Sequence, residues 1–244
     1  MRTSRLATAL LSLFILSAIG TTEARGQTTD TERAAARGIL AEINDLQLRL
    51  DPAGMAKRLA ERTDTDRDAI VSRTTELWHD EMQDLSDFIG HNPEVAWEEF
   101  LAVDTLTSIL RERGWDVEVG VAGLETAFVA TWTAPAGADG LTIGFIGEYD
   151  ALRDANGPFH GDQHNAQTPI AFASAFSIAE YMQRSGTPGQ LKIFGTPAEE
   201  VGPPAKVIMH EVGVFDGTDL MVRSHGVTET SRARAGFGSC CLNI

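Results

Sequence analysis

The 244-residue chain is 43% hydrophobic and carries a formal net charge of −15, with 35 acidic against 20 basic side chains. That length admits one large domain or two small ones, and the apolar content is enough to build an ordinary globular core. The acidic balance argues against nucleic acid or an anionic membrane surface as the main partner, since both would be repelled.

The chain opens with Arg2 and Arg5, an apolar stretch from Leu6 to Ile19, and then small and polar residues. This is the tripartite pattern of a secretory signal. Gly20 and Ala24 offer cleavage sites, so residues 1–24 read as a signal peptide and the mature protein as exported, periplasmic or secreted. The apolar stretch is shorter than the roughly 20 residues of a membrane span. Residues 25–65 read as a leader and a helical segment, with helix-compatible runs at Ala34–Arg49 and Met55–Arg62 broken at Asp51-Pro52.

From Asp66 to Ile89, Ile70, Leu77, Met82, Leu85 and Phe88 recur at helical spacing, and Gly90 and Asn92-Pro93 end the helix. A second amphipathic helix is expected from about Glu98 to Arg113. Asp116–Val121 and Ala127–Thr133 alternate like strands. Beyond Gly140 the order becomes strand (Leu141–Ile146), loop, helix (Thr168–Arg184), strand (Leu191–Phe194), loop, helix (Lys206–Val212), strand (Leu220–Val222). Such alternation predicts an α/β fold, a parallel-rich sheet with helices on both faces. Ala235–Ile244 reads like the start of one more strand, and the adjacent Cys240 and Cys241 as small apolar residues in it.

Three of these strands each run into a polar cluster. The first precedes Glu148, Asp150 and the run Phe159-His160-Gly161-Asp162-Gln163-His164-Asn165; the second precedes Thr196-Pro197-Ala198-Glu199-Glu200; the third precedes Ser224-His225-Gly226. Open α/β sheets bind ligands beyond the carboxyl ends of their strands. Asp162 and His164, two apart, can converge on one ion, and a carboxylate can bridge two metals while imidazole supplies a neutral nitrogen. Glu199 and Glu200 are adjacent and face different ways, so one can bind metal while the other serves as general base. Other candidates carry less. Gly236-Phe237-Gly238 lacks a following helix, His79-Asp80-Glu81 reads as a solvated helix face, and His210-Glu211 lacks the second His of a zincin.

The strings Gly147-Glu148-Tyr149-Asp150-Ala151-Leu152, His160 to Asn165 and Gly195 to Glu200, with Glu211–Gly217 and His225, resemble the amidohydrolase branch of the aminoacylase/carboxypeptidase metallopeptidases. His91-Asn92-Pro93-Glu94 and Glu98-Glu99 are similar to that branch as well. That family includes p-aminobenzoyl-glutamate hydrolases. The resemblance implies a two-metal catalytic domain, its ions zinc foremost, with manganese or cobalt as alternatives. It implies Asp162 as bridging ligand, His164, Glu200 and His225 as the other ligands, Glu199 as general base, and Asp150 as a carboxylate orienting an imidazole. His160 belongs to the motif without a ligand role. The implied substrate is a small amide: an N-acyl amino acid, an aminobenzoyl-glutamate-like compound or a dipeptide.

Two features depart from the family. Its bridging position in this branch is usually Cys, within H-A-C-G-H, where this chain has Asp162, followed by Gln163 in place of Gly. The family also carries an inserted smaller domain with dimer contacts and a last ligand His in a chain approaching twice this length. Residues 66–244 are therefore expected to be the N-terminal portion of the catalytic domain, and a homodimer is expected only of a full-length form. The competing expectation is an inactive fragment serving as a binding module.

Overall fold

The computed structural model describes residues 29–226, so the signal sequence, Ala235–Ile244, Gly236–Gly238 and the two cysteines lie outside the described residues. The chain divides into two compact units between Thr63 and Asp64. The first holds helices α1 (Asp30–Leu50) and α2 (Pro52–Glu61). The break at Asp51-Pro52 starts α2, because the Asp51 side chain accepts from the Gly54 N–H at 3.0 Å and Pro52 needs no donor at the first helical position. No helix among the described residues is long and apolar enough to cross a membrane.

The second unit begins with α3 (Thr65–Leu77), capped by Asp64, which accepts from the Arg67 N–H at 3.1 Å. The single helix expected from Asp66 to Ile89 instead passes through a π-helical turn, Trp78–Met82, into α4 (Gln83–His91). Leu77 and Met82 are five residues apart and both buried, a spacing that one wide turn accommodates and a regular helix does not. Helix α5 (Phe100–Glu112) follows, with the Glu94 carboxylate accepting from the N–H groups of Leu101 and Ala102 at 2.9 and 2.8 Å. That contact explains the Asn-Pro-Glu preceding it: a carboxylate at a helix N-terminus meets unpaired donors and the positive end of the dipole.

Five strands form the main sheet: β1 (Asp116–Val119), β2 (Phe128–Thr133), β3 (Thr142–Gly147), β6 (Gln190–Gly195) and β7 (Leu220–Val222). Their order across it is β1-β2-β6-β3-β7. β6, β3 and β7 are mutually parallel, while β1 and β2 extend the sheet antiparallel. The parallel pair β3 and β6 is joined through α6 (His164–Ser185), the crossover that parallel neighbours require. This helix starts four residues earlier than expected and keeps Pro169 inside its first turns. Residues 152–159, expected as loop, form a short hairpin of β4 (Leu152–Asp154) and β5 (Gly157–Phe159).

Alternation along β2 divides the core. Phe128 and Ala130 join Leu191, Ile193, Phe145 and the inner faces of α3 to α6. Ala127 and Val129 face the opposite side, with Met209 of α7 (Ala205–Glu211) and Phe215. Helices thus cover both sheet faces, as expected for this α/β class. Strands β3, β6 and β7 deliver their carboxyl ends to one edge.

Candidate metal centre

Each site segment leaves its strand by a sharp device. After β3, Glu148, Tyr149 and Asp150 are buried, and Glu148 is tied to α6: its N–H donates to Gln167 Oε1 at 2.7 Å, and its Oε2 accepts from Gln167 Nε2 at 2.6 Å. Before α6, Gln163 takes a left-handed φ of +62° between Asp162 and His164. Glycine reaches that region without cost, which gives a physical reason for the family's usual Gly at this position. After β6, Ala198 is left-handed too, at φ +53°, directly before Glu199 and Glu200. Non-glycine residues held there are a recognised form of stored backbone strain.

These turns and the end of β7 bring the other three expected metal-ligand residues, Asp162, Glu200 and His225, around His164. Donor atoms of Asp162, His164 and Glu200 lie within 4.8 Å of one another, and so do those of Glu148, His164 and His225. His225 Nε2 is 3.5 Å from Asp162 Oδ2, and its ring stands edge-on to that of His164. His164 is buried; its Nδ1–H donates to Asp150 Oδ1 at 2.9 Å, which fixes the tautomer and leaves Nε2 as the free lone pair. The second Asp150 oxygen accepts from the Glu200 N–H at 2.9 Å. One carboxylate therefore orients both the imidazole and the turn that bears Glu200.

Two ligand-type atoms of the cluster, His164 Nε2 and Glu200 Oε1, are buried and make no hydrogen bond, although Glu148 Oε2 lies 3.4 Å from His164 Nε2. Buried polar atoms are nearly always satisfied, so an unsatisfied pair facing a shared space asks for an ion. Mixed carboxylate and imidazole donors suit zinc or a related divalent metal. The residues fit the group.

Charge is managed around the cluster. Burial opposes a charged His164, but the Asp150 hydrogen bond and charge, with Glu200 and Glu199, outweigh it and raise its pKa above the ordinary value. Burial raises the Glu200 pKa; the His164 imidazole counters this, while Asp150, Asp162 and Glu199 add to it. The pKa of His160 is lowered, by burial first and then by His164. Both His160 ring nitrogens are buried without a hydrogen bond, yet neither belongs to a convergent donor group.

Glu199 lies at the rim, with Oε1 3.5 Å from Lys206 Nζ. Lys206 also contacts Glu148 Oε1, which Arg223 Nη1 approaches at 3.2 Å. Sequence reasoning placed Glu148 in its cluster but gave it no role, and missed Gln167, Lys206 and Arg223. The signal for Glu148 was its spacing of two from Asp150 at a strand end. Arg223 adjoins the third cluster, one residue before Ser224, which was the signal available for it; Lys206 lies in the first turn of α7 with no polar pattern to mark it.

The chain matches no family model. It is similar to a p-aminobenzoyl-glutamate hydrolase polypeptide of Escherichia coli (strain K12), 32% identical over 158 residues that cover 58% of this chain and 31% of that protein. It is similar to the Xaa-Arg dipeptidase of Mus musculus, 29% identical over 186 residues, 72% of this chain and 39% of the relative. The solved aminobenzoyl-glutamate utilization protein from Klebsiella pneumoniae matches with a TM-score of 0.50 and 19% identity, over 62% of this chain and 44% of that one. At that identity the structural likeness speaks for the fold alone. The sequence relatives agree with the resemblance to the aminoacylase/carboxypeptidase metallopeptidases. The chain spans between 31% and 39% of the length of these curated relatives.

Proposed function

We propose that this chain is a metal-dependent amidohydrolase or peptidase that cleaves an amide bond in an aminobenzoyl-glutamate-like compound, an N-acyl amino acid or a dipeptide. The observation that carries the reading is the convergence of Asp162, His164 and Glu200, with His164 Nε2 and Glu200 Oε1 buried and unsatisfied. The names of the two sequence relatives support the substrate class, since each denotes a protein that breaks a bond of this kind.

Asp162, His164, Glu200 and His225 would hold two divalent ions, zinc foremost, with manganese or cobalt suited to the same donors. When bound, the ions supply Lewis-acid polarisation of the amide carbonyl and a water made acidic enough to attack near neutral pH. The chain's own residues do the rest. Asp150 fixes the His164 tautomer and the backbone ahead of the Glu200 side chain. Glu199, half-exposed at the rim, takes a proton from the attacking water and returns one to the leaving amine. Lys206 limits the swing of Glu199 while, with Arg223, it offsets the buried charge of Glu148. Burial lowers the Lys206 pKa to about 7, so Arg223 is the permanent counter-charge and Lys206 a partner that titrates near neutrality. Without them a fifth carboxylate beside Asp150, Asp162, Glu199 and Glu200 would be costly to keep ionised. The cleft beside His225, lined by Gln163, Ala166 and Ile170, holds about 80 Å³. That is smaller than the roughly 300–1,000 Å³ of a pocket enclosing a small molecule, so these residues supply chemistry more than enclosure. The Arg2, Arg5 and Leu6–Ile19 pattern supports export, and the acidic surface supports a small molecule over nucleic acid as partner.

The test is the metal content of the purified chain beside the double variant Asp162→Ala/Glu200→Ala, with hydrolysis of p-aminobenzoyl-glutamate and dipeptides followed in parallel. Near-stoichiometric zinc or manganese, lost in the double variant, is expected. Glu199→Gln should keep the metal and lose turnover by about 10²–10⁴-fold, the usual worth of a general base. A folded wild-type chain that takes up no metal would overturn the reading.

A further inference from the structure

Glu99 stands outside the metal centre, one residue before α5, and is 0% exposed. A buried carboxylate needs partners for both oxygens, and Glu99 has them. Its Oε1 accepts from the Ala198 N–H at 2.8 Å and its Oε2 from the Thr126 hydroxyl at 2.9 Å. The Thr126 carbonyl in turn accepts from the Tyr149 hydroxyl at 2.5 Å, and Tyr149 lies between Glu148 and Asp150. The group thus ties α5, the approach to β2, the end of β3 and the turn after β6.

The Ala198 contact is the telling one. Ala198 is fully buried and holds a φ of +53°, a conformation that a residue with a Cβ keeps only where its surroundings enforce it. Its N–H would have no water to turn to, and the Glu99 carboxylate is what meets it. Glu199 and Glu200 follow immediately, so the direction of this peptide, together with the Asp150 hold on the Glu200 N–H, sets where both carboxylates go. Burial raises the Glu99 pKa, and the hydrogen bonds from Thr126 and Ala198 act to lower it.

We propose that Glu99 is a positioning residue: by accepting the Ala198 N–H it holds the left-handed turn that aims Glu199 and Glu200 into the site. What the turn aims at rests on the metallohydrolase reading; the hold itself does not.

The experiment compares Glu99→Ala and Glu99→Gln with the wild-type chain in two measurements. Amide hydrogen exchange without metal should show the N–H groups of Ala198, Glu199 and Glu200 exchanging at least about tenfold faster in Glu99→Ala while the β3 and β6 ladder stays protected, as expected of a local opening. Cobalt(II) titration, read from its visible absorption, should show affinity falling about 10–100-fold in Glu99→Ala, the usual effect of losing an outer partner of a metal ligand. Glu99→Gln should retain both properties, because its carboxamide oxygen can still accept from Ala198 while the Thr126 hydroxyl turns to accept. Should Glu99→Ala not fold, Glu99→Asp withdraws the acceptor by one methylene and is read the same way. A variant that merely melts earlier, with wild-type exchange at Ala198, Glu199 and Glu200 and wild-type cobalt affinity, overturns the proposal, as does a Gln variant as defective as the Ala one. A wild-type chain that binds no cobalt sinks the metal reading alone, and the exchange measurement then decides the role of Glu99.

Discussion

Asp150 is the residue on which the most geometry depends. It is 1% exposed, and its two oxygens serve different partners, the His164 ring and the Glu200 backbone. Replacing it with Asn keeps the size and one acceptor. It also sets an amide N–H₂ against the other donor and removes the charge that favours a protonated His164. In the metal-free Asp150→Asn variant the His164 pKa should therefore fall toward or below the ordinary imidazole value, as burial, which opposes the charge, is left less opposed. Proton NMR titration of the imidazole measures this directly. Zinc affinity of the same variant should drop about 10–100-fold, read by competition with a chelating dye. Unchanged affinity and an unchanged titration would mean that Asp150 does not set the state of His164.

Elements put these residues where they are, and Gly195 shows how closely. It ends β6, and a Cβ built on it would run into the Phe128 ring on the neighbouring strand. Phe128 is fully buried and stacked on Tyr149, so neither ring has room to yield. Gly195→Ala should cost about 1–3 kcal/mol through overpacking, seen as a lower midpoint in urea with an unchanged slope. The strands themselves were legible in the sequence, because Leu191–Phe194, apolar but for Lys192, and the apolar Leu220–Val222 are short runs bounded by turn residues. So were the three polar clusters at their ends. What escaped had physical reasons. Strands of three residues in β4 and β5 are too short for alternation to register. A helix containing Pro169 reads as starting beside it, whereas α6 begins at His164 and forfeits one hydrogen bond near its start. The π-turn hides in a pattern that is nearly helical. Glu98-Glu99 stood out only as part of the resemblance, and the role of Glu99 escaped because it lies in a contact with Ala198, far along the chain.

At the scale of the whole molecule, the site loads the metal-free fold with groups that prefer to be protonated. Glu99 and Glu200 have raised pKa values, burial being the largest cause in each, and His164 is raised as Asp150 overcomes burial. A group whose pKa is higher in the folded state binds more protons there than in the unfolded chain, so stability falls as pH rises through the interval between the two values. For the carboxyls that interval opens near the ordinary value of about 4.3 and for the imidazole near about 6.5. All three act in the same direction. Two groups oppose them in the same range: His160, whose pKa burial lowers, and Lys206, whose pKa burial lowers to about 7. The check is therefore a difference: without metal, the thermal midpoint of the wild-type chain relative to Glu200→Gln should decline as pH rises from about 5 to about 8. A bound ion reverses the balance, because it needs His164 neutral and the carboxylates charged. Metal at about a hundred times its dissociation constant adds roughly 2.7 kcal/mol. In a unit of this size that corresponds to a rise on the order of 5–10 °C in midpoint. The rise should be larger at pH 8 than at pH 5.5, where protons compete for the same atoms. Calorimetry at the two pH values, with chelator or with zinc, separates these outcomes. A midpoint indifferent to zinc at both pH values would mean that His164 Nε2 and Glu200 Oε1 do not hold the ion for which the cluster is arranged.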